Sequence, residues 1–300
     1  MTAATSDRPG RDPIPAIVNA KAGTAQAAVA ALREAGAAFR VAEVDPADVE
    51  RAVRAEVERG AERVLVAGGD GTIATAASVL AGTPVALAVL PGGTLNHFAR
   101  FHAIPTAAPD AIRVASEGAV TTADVAYVND RIFLNTSSVG AYVLFVRTRE
   151  RFERFLGYRL ASIAAAVRVM FQLRGYSVTL EAGGQTHVYR TPIVFIGVGE
   201  RELKVPALGE RVENGRRGLH VLVVRGRTAG RLFVIALAAA SRGVAALSRT
   251  PMLDSFVVDS VTIDMTRPRG NVAVDGELER LTAPLEYKLR RDALRIVTPG

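Results

Sequence analysis

The chain has no cysteine and no tryptophan, and its four histidines show no metal-ligand spacing. Without cysteine, neither a disulfide nor a thiolate metal site can form. No apolar run reaches the roughly 20 residues that a membrane-spanning helix needs. The longest, residues 232–247, contains Arg242. Residues 1–13 are polar and lack the apolar core of a signal peptide, so we predict a disordered tail on a cytoplasmic protein.

The composition is typical of a folded globular protein. Its 300 residues suffice for two domains, and 49% hydrophobic with 22% charged residues disfavours disorder. The net charge is +7, with a pI of about 10.2. This balance favours an anionic partner, such as a nucleotide, a nucleic acid or a lipid headgroup, without choosing among them.

Apolar runs alternate with helical patterns between residues 14 and 128. Strands are predicted at 16–19, 39–44, 63–68 and 84–90, and helices at 24–36, 47–60 and 72–82. Strands that alternate with helices of this length are typical of a doubly wound parallel sheet. We therefore predict an N-terminal α/β domain over residues 14–128.

The pattern changes from residue 129 to residue 300. Strand-like runs separated by Gly, Asn and Pro turns predominate, and helical stretches interrupt them at about 147–173 and 230–248. This pattern predicts a second, mostly antiparallel, β-sandwich-like domain. Whether its last residues return to the first domain is left open.

Three glycine-bearing turns follow predicted parallel strands. They are VNAKAG (18–23), AGGDGT (67–72) and LPGGTLNHFAR (90–100). Turns at the carboxyl ends of parallel strands share one edge of the sheet, where ligands bind. Glycine leaves backbone N–H groups accessible and a helix N-terminus follows each turn, which together suit a phosphate. Further contacts are available from Asn19, Lys21, Thr72, Thr94 and Asn96.

Asp70 stands among the glycines of the second turn, where a negative charge would repel a phosphate. Gly69, Gly71 and Ala74 fit the dinucleotide pattern G-x-G-x-x-A, but no acid for the ribose lies between Asp70 and Asp110. The G-K-[ST] of a P-loop is also missing. A carboxylate suits a polyphosphate site if it holds a divalent cation or accepts the proton of an attacking hydroxyl. The alternative is a turn-forming aspartate that bonds its own backbone.

The motifs, taken in order, resemble the diacylglycerol kinase catalytic family in its bacterial soluble lipid-kinase branch. They are N-x-x-x-G at 19–23, GGDGT at 68–72, P-G-G-T-x-N-x-F-A-R at 91–100 and DGE at 275–277, and the similarity extends from about residue 14 to 298. GGDGT alone is shared with NAD kinases and 6-phosphofructokinases. The second motif together with DGE narrows the resemblance to lipid kinases. It implies a nucleotide-binding α/β domain followed by a β-rich lipid-substrate domain.

The resemblance also implies residues for ATP and for the accompanying Mg²⁺. Those for ATP are Asn19, Lys21, Gly23, Gly68, Gly69, Asp70, Gly71, Thr72, Ile73, Gly93, Thr94 and Asn96. Asp70 would hold Mg²⁺, and Asp275 or Glu277 would accept the proton as a lipid hydroxyl attacks the γ-phosphorus. Without the resemblance, DGE is typical of a hairpin turn after the strand NVAV.

The chain departs from the family pattern at positions that bear on the site. His97 stands where the family often has an acid, and near residues 43–45 there is no counterpart of the family's ATP-contacting threonine. The family binds a structural Mg²⁺ through an Asp-Gly turn, but here Asn214 or Arg217 aligns with that aspartate. We predict that this second metal site is absent and that the guanidinium replaces the charge of the ion.

The predicted function is ATP-dependent transfer of phosphate to a diacylglycerol-like lipid. The alternatives are a kinase for a sphingoid base or NAD, and a nucleotide-binding regulatory protein without turnover. Residues 146–175 combine arginines with an apolar stripe at helical spacing, which fits a helix on an anionic membrane surface or one packed on the second domain. No nucleic-acid motif accompanies these arginines, so no such partner is predicted. A homodimer is left open.

Overall fold

The computed structural model describes residues 12–140, 176–202, 210–225, 253–265 and 268–300, with a few single residues between 148 and 164. The predicted helices at 147–173 and 230–248, and with them the basic stretch 146–175, otherwise lie outside the described residues. In the part of the chain that is described, no helix has the length and apolar character to cross a membrane.

Contacts divide the chain into two units. The first unit comprises the chain up to Ala123 together with Asp292–Gly300, and the second unit comprises Asp124–Arg291. The last nine residues thus belong to the first unit, although they follow the second along the chain. Strand pairing is parallel in the first unit and mostly antiparallel in the second.

The first unit contains a parallel sheet. Its strands are β1 (Ile14–Asn19), β2 (Phe39–Val44), β3 (Arg63–Gly68) and β4 (Ala86–Pro91). Its helices are α1 (Ala25–Glu34), α2 (Val49–Glu58), α3 (Asp70–Leu80), α4 (His97–Phe101) and α5 (Ala108–Glu117), with short 3-10 helices at Gly36–Ala38 and Pro46–Asp48. The strand order is β2-β1-β3-β4, all parallel. The predicted α/β architecture is confirmed.

Burial explains why these stretches take these forms. In β3 the run Val64–Gly68 is buried throughout, as expected for an inner strand of a parallel sheet covered on both faces. In α2, Val49 and Val53 are buried while Arg51 and Arg54 are exposed, so the helix has one apolar face. The apolar face packs on the sheet and leaves the carboxyl ends of the strands free to carry turns.

The second unit is antiparallel. Its strands are β5 (Ala119–Val128, which begins in the first unit), β6 (Arg131–Phe133), β7 (Thr136–Gly140), β8 (Tyr176–Ala182), β9 (Gln185–Thr191), β10 (Ile193–Val198), β11 (Leu219–Val224), β12 (Leu253–Val258), β13 (Ser260–Met265), β14 (Arg269–Val274), β15 (Glu277–Thr282) and β16 (Leu285–Thr298, which ends in the first unit). One sheet has the order β12-β11-β10-β7-β14-β15. In the other, β13 pairs with β8 and β16, and β8 pairs with β9.

Side chains from both antiparallel sheets meet in one core. Ile196 and Val221 from the six-stranded sheet and Leu180, Ile263 and Tyr287 from the other are buried in the same hydrophobic cluster. Two sheets that share such a core form a sandwich. The predicted mostly antiparallel, sandwich-like second domain is confirmed.

Several element boundaries differ from the sequence prediction, and two of the differences bear on the residues discussed below. Helix α3 begins at Asp70, two residues before the predicted start, because Gly69 takes the extended N-cap conformation and a carboxylate is favourable in the first turn. The run RIFLNTSSVG forms two strands, β6 and β7, because the backbone N–H groups of Leu134 and Asn135 between them bind a side chain from another part of the sheet.

Candidate active site

The three glycine turns of the first unit lie at one edge of its sheet and are hydrogen-bonded to each other. Asn19 Nδ2 donates to Thr72 Oγ1 (2.8 Å), Thr24 Oγ1 donates to the Gly92 carbonyl (3.3 Å), and the N–H of Gly92 donates to the Gly68 carbonyl (2.8 Å). We call residues 19–24, 68–72 and 92–96 the glycine edge. The predicted common edge is therefore present as one bonded group of turns.

Two of the glycines are required because the second and third turns touch backbone to backbone. A Cβ added at Gly93 would lie 2.8 Å from the Cα of Gly69, and one added at Gly69 would lie 3.3 Å from the Cα of Gly93. Gly23 differs, because nothing lies within 4 Å of the position of its Cβ. The backbone of Gly23 therefore borders open space that a ligand can enter.

These environments predict different effects of alanine. Gly93→Ala is expected to lower the free energy of unfolding by about 2 kcal/mol, because the two turns must separate. Gly23→Ala is expected to leave stability within about 0.5 kcal/mol and to weaken nucleotide binding, because its Cβ fills the open space. Urea unfolding and calorimetric titration with ATP check both. Unchanged ATP affinity in Gly23→Ala would show that no nucleotide approaches this turn.

Two helices begin at the glycine edge without a side-chain cap. Thr24 precedes α1 and Gly69 precedes α3, and neither supplies a side-chain hydrogen bond to its helix. In α3 the N–H of Ile73 donates to the Gly69 carbonyl, so the N–H groups of residues 70–72 precede the first intrahelical bond. Such groups carry partial positive charge and suit phosphate oxygens.

The Asp70 carboxylate is directed toward the third turn. Its Oδ2 accepts a hydrogen bond from the N–H of His97 (3.2 Å) and its Oδ1 accepts one from the N–H of Phe98 (3.3 Å). Asp70 thus caps α4 from a neighbouring turn, a contact that the sequence did not predict. The alternative of an aspartate bonded to its own turn is not what these contacts show. Both oxygens keep lone pairs that can take a cation.

Lys21 forms an ion pair that was not predicted. Its Nζ lies 3.0 Å from Oδ1 of Asp45, the residue that follows β2, and the side chains are 72% and 60% exposed. Asn19 shapes the same turn, since its Oδ1 accepts a hydrogen bond from the N–H of Lys21 (3.0 Å). An exposed pair of this kind contributes at most about 1 kcal/mol, so a ligand can displace it.

The other predicted ATP residues of this edge have distinct surroundings. Asn96, at φ 49°, accepts from the N–H of Gly93 (2.9 Å) and donates to its carbonyl (2.8 Å), so its amide shapes the turn. Thr94 is exposed, and Ile73 buries its side chain in the interior of the first unit. His97 is exposed at the first position of α4.

The DGE segment of the second unit is a hairpin turn. Val274 of β14 pairs with Glu277 of β15, and the two turn residues, Asp275 and Gly276, have φ of 46° and 90°. The Asp275 carboxylate accepts hydrogen bonds from three backbone N–H groups, those of residues 134–136, at 2.7 to 2.9 Å. The Glu277 side chain is exposed.

Arg201 supports the segment that Asp275 binds, and sequence reasoning did not single it out. Its guanidinium donates to Asn135 Oδ1 (2.7 Å), to the Asn135 carbonyl and to the Val198 carbonyl (2.9 Å). Burial lowers the pKa of Arg201 to about 10, which leaves it charged at neutral pH. No local pattern distinguishes this arginine from the many exposed ones.

The buried His220 predicts that stability depends on pH. Its Nδ1 accepts from the N–H of Arg201 (2.7 Å) and its Nε2 lies 2.8 Å from Ser255 Oγ, an arrangement that suits the neutral ring. Burial lowers the pKa of His220 from 6.5 to about 4. Because the unfolded chain still binds the proton near pH 6.5, stability is full above that pH and falls by about 3 kcal/mol as the pH drops toward 4.

Urea unfolding from neutral pH down to about pH 4 checks this expectation. His220→Gln should show a shallower fall than the native protein, because it removes the titrating ring. His97→Gln, at an exposed histidine, should keep the native slope. An equally steep fall in all three proteins would contradict the role of His220.

Asp124 and Arg217 form an ion pair in the second unit. Arg217 donates from Nε to Asp124 Oδ2 (2.9 Å) and from Nη2 to Asp124 Oδ1, and the Asp124 side chain is only 4% exposed. A second guanidinium, that of Arg211, also interacts electrostatically with Asp124, and burial lowers the pKa of Arg211 to about 10. Two guanidinium groups around one carboxylate do not suit a hard cation. Within the described ranges, no group of three acidic, His or Cys side chains could hold a metal.

A parallel sheet whose carboxyl edge carries interconnected glycine turns defines the α/β class that binds its ligands at this edge. Residues 13–128 match the family described as the diacylglycerol kinase catalytic domain. This match covers somewhat more than a third of the chain and confirms the resemblance seen in its motifs.

Other proteins and a solved structure are similar to this chain. A probable lipid kinase YegS-like of Cronobacter sakazakii is 37% identical over 116 residues, 37% of this chain and 39% of that protein. A diacylglycerol kinase of Mycobacterium tuberculosis is 34% identical over 108 residues, 35% of either protein. These matches span well under two thirds of the relatives. The crystal structure of a putative diacylglycerol kinase from Bacillus anthracis has a TM-score of 0.74 at 20% identity and covers 96% of this chain and 98% of that one, which shows the fold.

Proposed function

We propose that the protein is an ATP-dependent lipid kinase that transfers the γ-phosphate to the hydroxyl of a diacylglycerol-like lipid. The glycine edge carries the proposal, because three bonded turns, two uncapped helix starts and the open space at Gly23 occur in a domain that matches the diacylglycerol kinase catalytic domain. The names of the relatives, a probable lipid kinase and a diacylglycerol kinase, support the acceptor class.

In this proposal the glycine edge binds the phosphates of ATP. The N–H groups of residues 70–72 donate to phosphate oxygens. The Thr72 hydroxyl accepts a hydrogen bond from Asn19 and keeps its own hydrogen for donation. Lys21 exchanges its exposed contact with Asp45 for a phosphate, at little cost in stability. Together these groups orient the polyphosphate for transfer.

Asp70 fits the role of a magnesium ligand. Carboxylate oxygens are the protein ligands that Mg²⁺ prefers, with phosphates and water completing its coordination. The hydrogen bonds from His97 and Phe98 fix the orientation of the Asp70 carboxylate. When bound with ATP, the ion neutralises charge that develops on the phosphates during transfer.

Either Asp275 or Glu277 is the candidate base for the attacking hydroxyl. The Asp275 carboxylate accepts hydrogen bonds from three backbone N–H groups, whereas the Glu277 side chain is exposed. The variants Asp275→Asn and Glu277→Gln distinguish them. Loss of transfer without loss of stability identifies the base, because a residue that only organises the loop affects both.

We further propose that the protein is a cytoplasmic enzyme that binds its acceptor at a membrane surface as a peripheral protein. A lipid acceptor lies in the bilayer, so the kinase must approach the interface. The net charge of +7 favours an anionic surface.

The experiment that tests this function is phosphate transfer from γ-labelled ATP in the presence of Mg²⁺. The acceptors are separate micelles of diacylglycerol, monoacylglycerol, sphingosine and ceramide, with soluble NAD alongside. Label in diacylglycerol is the expected result. Label in sphingosine or NAD alone would show that this compound, and not diacylglycerol, is the acceptor. ATP binding without any transfer would favour the regulatory alternative.

A further inference from the structure

Asp45 occupies a distinctive position in the first unit. Strand β2 pairs in parallel with β1, with Asn19 opposite Val44, and the N–H of Ala20 donates to the Val44 carbonyl (2.9 Å). Asp45 follows Val44 directly, so it leaves the sheet beside the first turn of the glycine edge. Its backbone is extended, and the short 3-10 helix Pro46–Asp48 follows.

The Asp45 carboxylate is held at this edge and remains accessible. Oδ1 lies 3.0 Å from Lys21 Nζ, and the Asp45 side chain is 60% exposed. Gly23, in the same turn as Lys21, borders open space. The turn thus carries a cation and borders free volume, and a group that can only accept hydrogen bonds contacts its lysine. The exposed ion pair contributes little to the stability of the fold. The fold therefore does not require an acidic residue at this position.

The topology suggests what this acid binds. In doubly wound folds the turn after the first strand holds phosphates, and an acid after the adjacent strand accepts hydrogen bonds from ribose hydroxyls. After the GGDGT motif, the chain has no acidic residue before Asp110. Strand β2, however, lies next to β1, and Asp45 directly follows it. The acid therefore follows β2, the strand that is adjacent to β1 in space. It does not follow the GGDGT motif along the chain.

We propose that Asp45 binds the ribose of the nucleotide and makes the protein selective for ribonucleotides over 2′-deoxyribonucleotides. The inference rests on the proposed function in that a nucleotide binds at the glycine edge. A carboxylate only accepts hydrogen bonds, and the two ribose hydroxyls offer two donors. Removal of the 2′-hydroxyl deletes one charge-assisted hydrogen bond, which corresponds to a roughly 10- to 100-fold loss of affinity.

Calorimetric titration of the full chain with ATP and with 2′-deoxyATP, in Mg²⁺ and without lipid, tests the proposal. The native protein is expected to bind ATP at least about tenfold more tightly than 2′-deoxyATP. Asp45→Asn is expected to bring the two affinities close together, mainly by weakening ATP. Asp48→Asn is the matched control, because it removes the same charge three residues on, at an acid paired with Arg51. It should keep the native discrimination.

Equal native affinities for the two nucleotides would overturn the proposal, as would undiminished discrimination in Asp45→Asn. An equal loss of affinity for both nucleotides in Asp45→Asn, with the ratio kept, would reduce Asp45 to a partner of Lys21 and also overturn it. The test needs no transfer, so it is separate from the kinase assay. Ribose selectivity without phosphate transfer to any acceptor would contradict the proposed function and leave the role of Asp45 standing.

Discussion

Replacement of Asp70 by asparagine is expected to lower phosphate transfer by about 10²-fold or more while the fold remains intact. The amide keeps the shape of the carboxylate and one oxygen that can accept from the N–H of His97 or Phe98, and asparagine caps helices as well as aspartate does. It loses the negative charge that a Mg²⁺ ligand at the phosphates requires. Labelled-ATP transfer and the melting temperature, measured on the same preparation, check the two halves of the expectation.

The matched control for this prediction is Asp110→Asn. Asp110 also lies in the first turn of a helix, α5, where it contacts Arg113 at 3.1 Å. The change is chemically identical, and Asp110 lies outside the glycine edge and pairs with Arg113 of its own helix, so transfer should be preserved. Asp70→Ala measures the structural role of Asp70 separately from its role in transfer. It removes both hydrogen-bond acceptors from the start of α4 and should lower the free energy of unfolding by about 1 kcal/mol. An active Asp70→Asn enzyme would reduce Asp70 to a helix cap.

Replacement of Arg217 by methionine is expected to lower the free energy of unfolding by about 3 kcal/mol. Methionine keeps the length and apolar stem of the side chain but removes the two hydrogen bonds that compensate the buried Asp124 carboxylate. Removal of one partner from a buried pair is costly because the other charge stays out of water. Chemical unfolding followed by circular dichroism checks the magnitude.

Arg216→Met provides the comparison at the adjacent residue. The ion pair of Arg216 with Glu200 has side chains 66% and 28% exposed, against 48% and 4% for Arg217 and Asp124. The more exposed pair should be worth no more than about 1 kcal/mol. An equal loss of unfolding free energy in the two variants would show that burial of Asp124 does not make its ion pair more stabilising than the exposed one.

The same ion pair predicts the response to metal removal. If guanidinium groups supply the positive charge beside Asp124, the native protein needs no structural cation there. EDTA is therefore expected to leave the melting temperature in the absence of nucleotide unchanged. A lower melting temperature in EDTA that added Mg²⁺ restores would contradict this expectation and would indicate a structural metal site.

Much of the first unit was predictable because its signals are local. The strands 39–44 and 63–68 were predicted at their observed bounds. The apolar run of 63–68 is typical of a buried parallel strand, and 39–44 lies between two helical patterns. The DGE turn was also readable, because Asp-Gly between strand-like runs favours a two-residue hairpin. In both cases the information lies within a few residues of the feature.

The contacts of the acidic side chains were not predictable in the same way. Asp70 caps a helix 27 positions away, Asp275 binds a loop about 140 positions away, and Asp124 pairs with Arg217, 93 positions along the chain. A carboxylate has many partners available in a sequence with 37 basic residues, and only folding selects one. The split of β6 from β7 follows from such a contact, because Asp275 binds the backbone between the two strands.

Residue order alone establishes that this chain has an α/β domain with three glycine turns, a β-rich second domain and the motifs of the diacylglycerol kinase family. It does so because strand and helix periodicity and turn chemistry are short-range properties. Only the folded chain shows that Asp70 caps α4, that Asp45 contacts Lys21 of the first turn and that Arg217 pairs with Asp124. Those assignments depend on which strands become neighbours, and strand pairing joins residues that are distant in sequence.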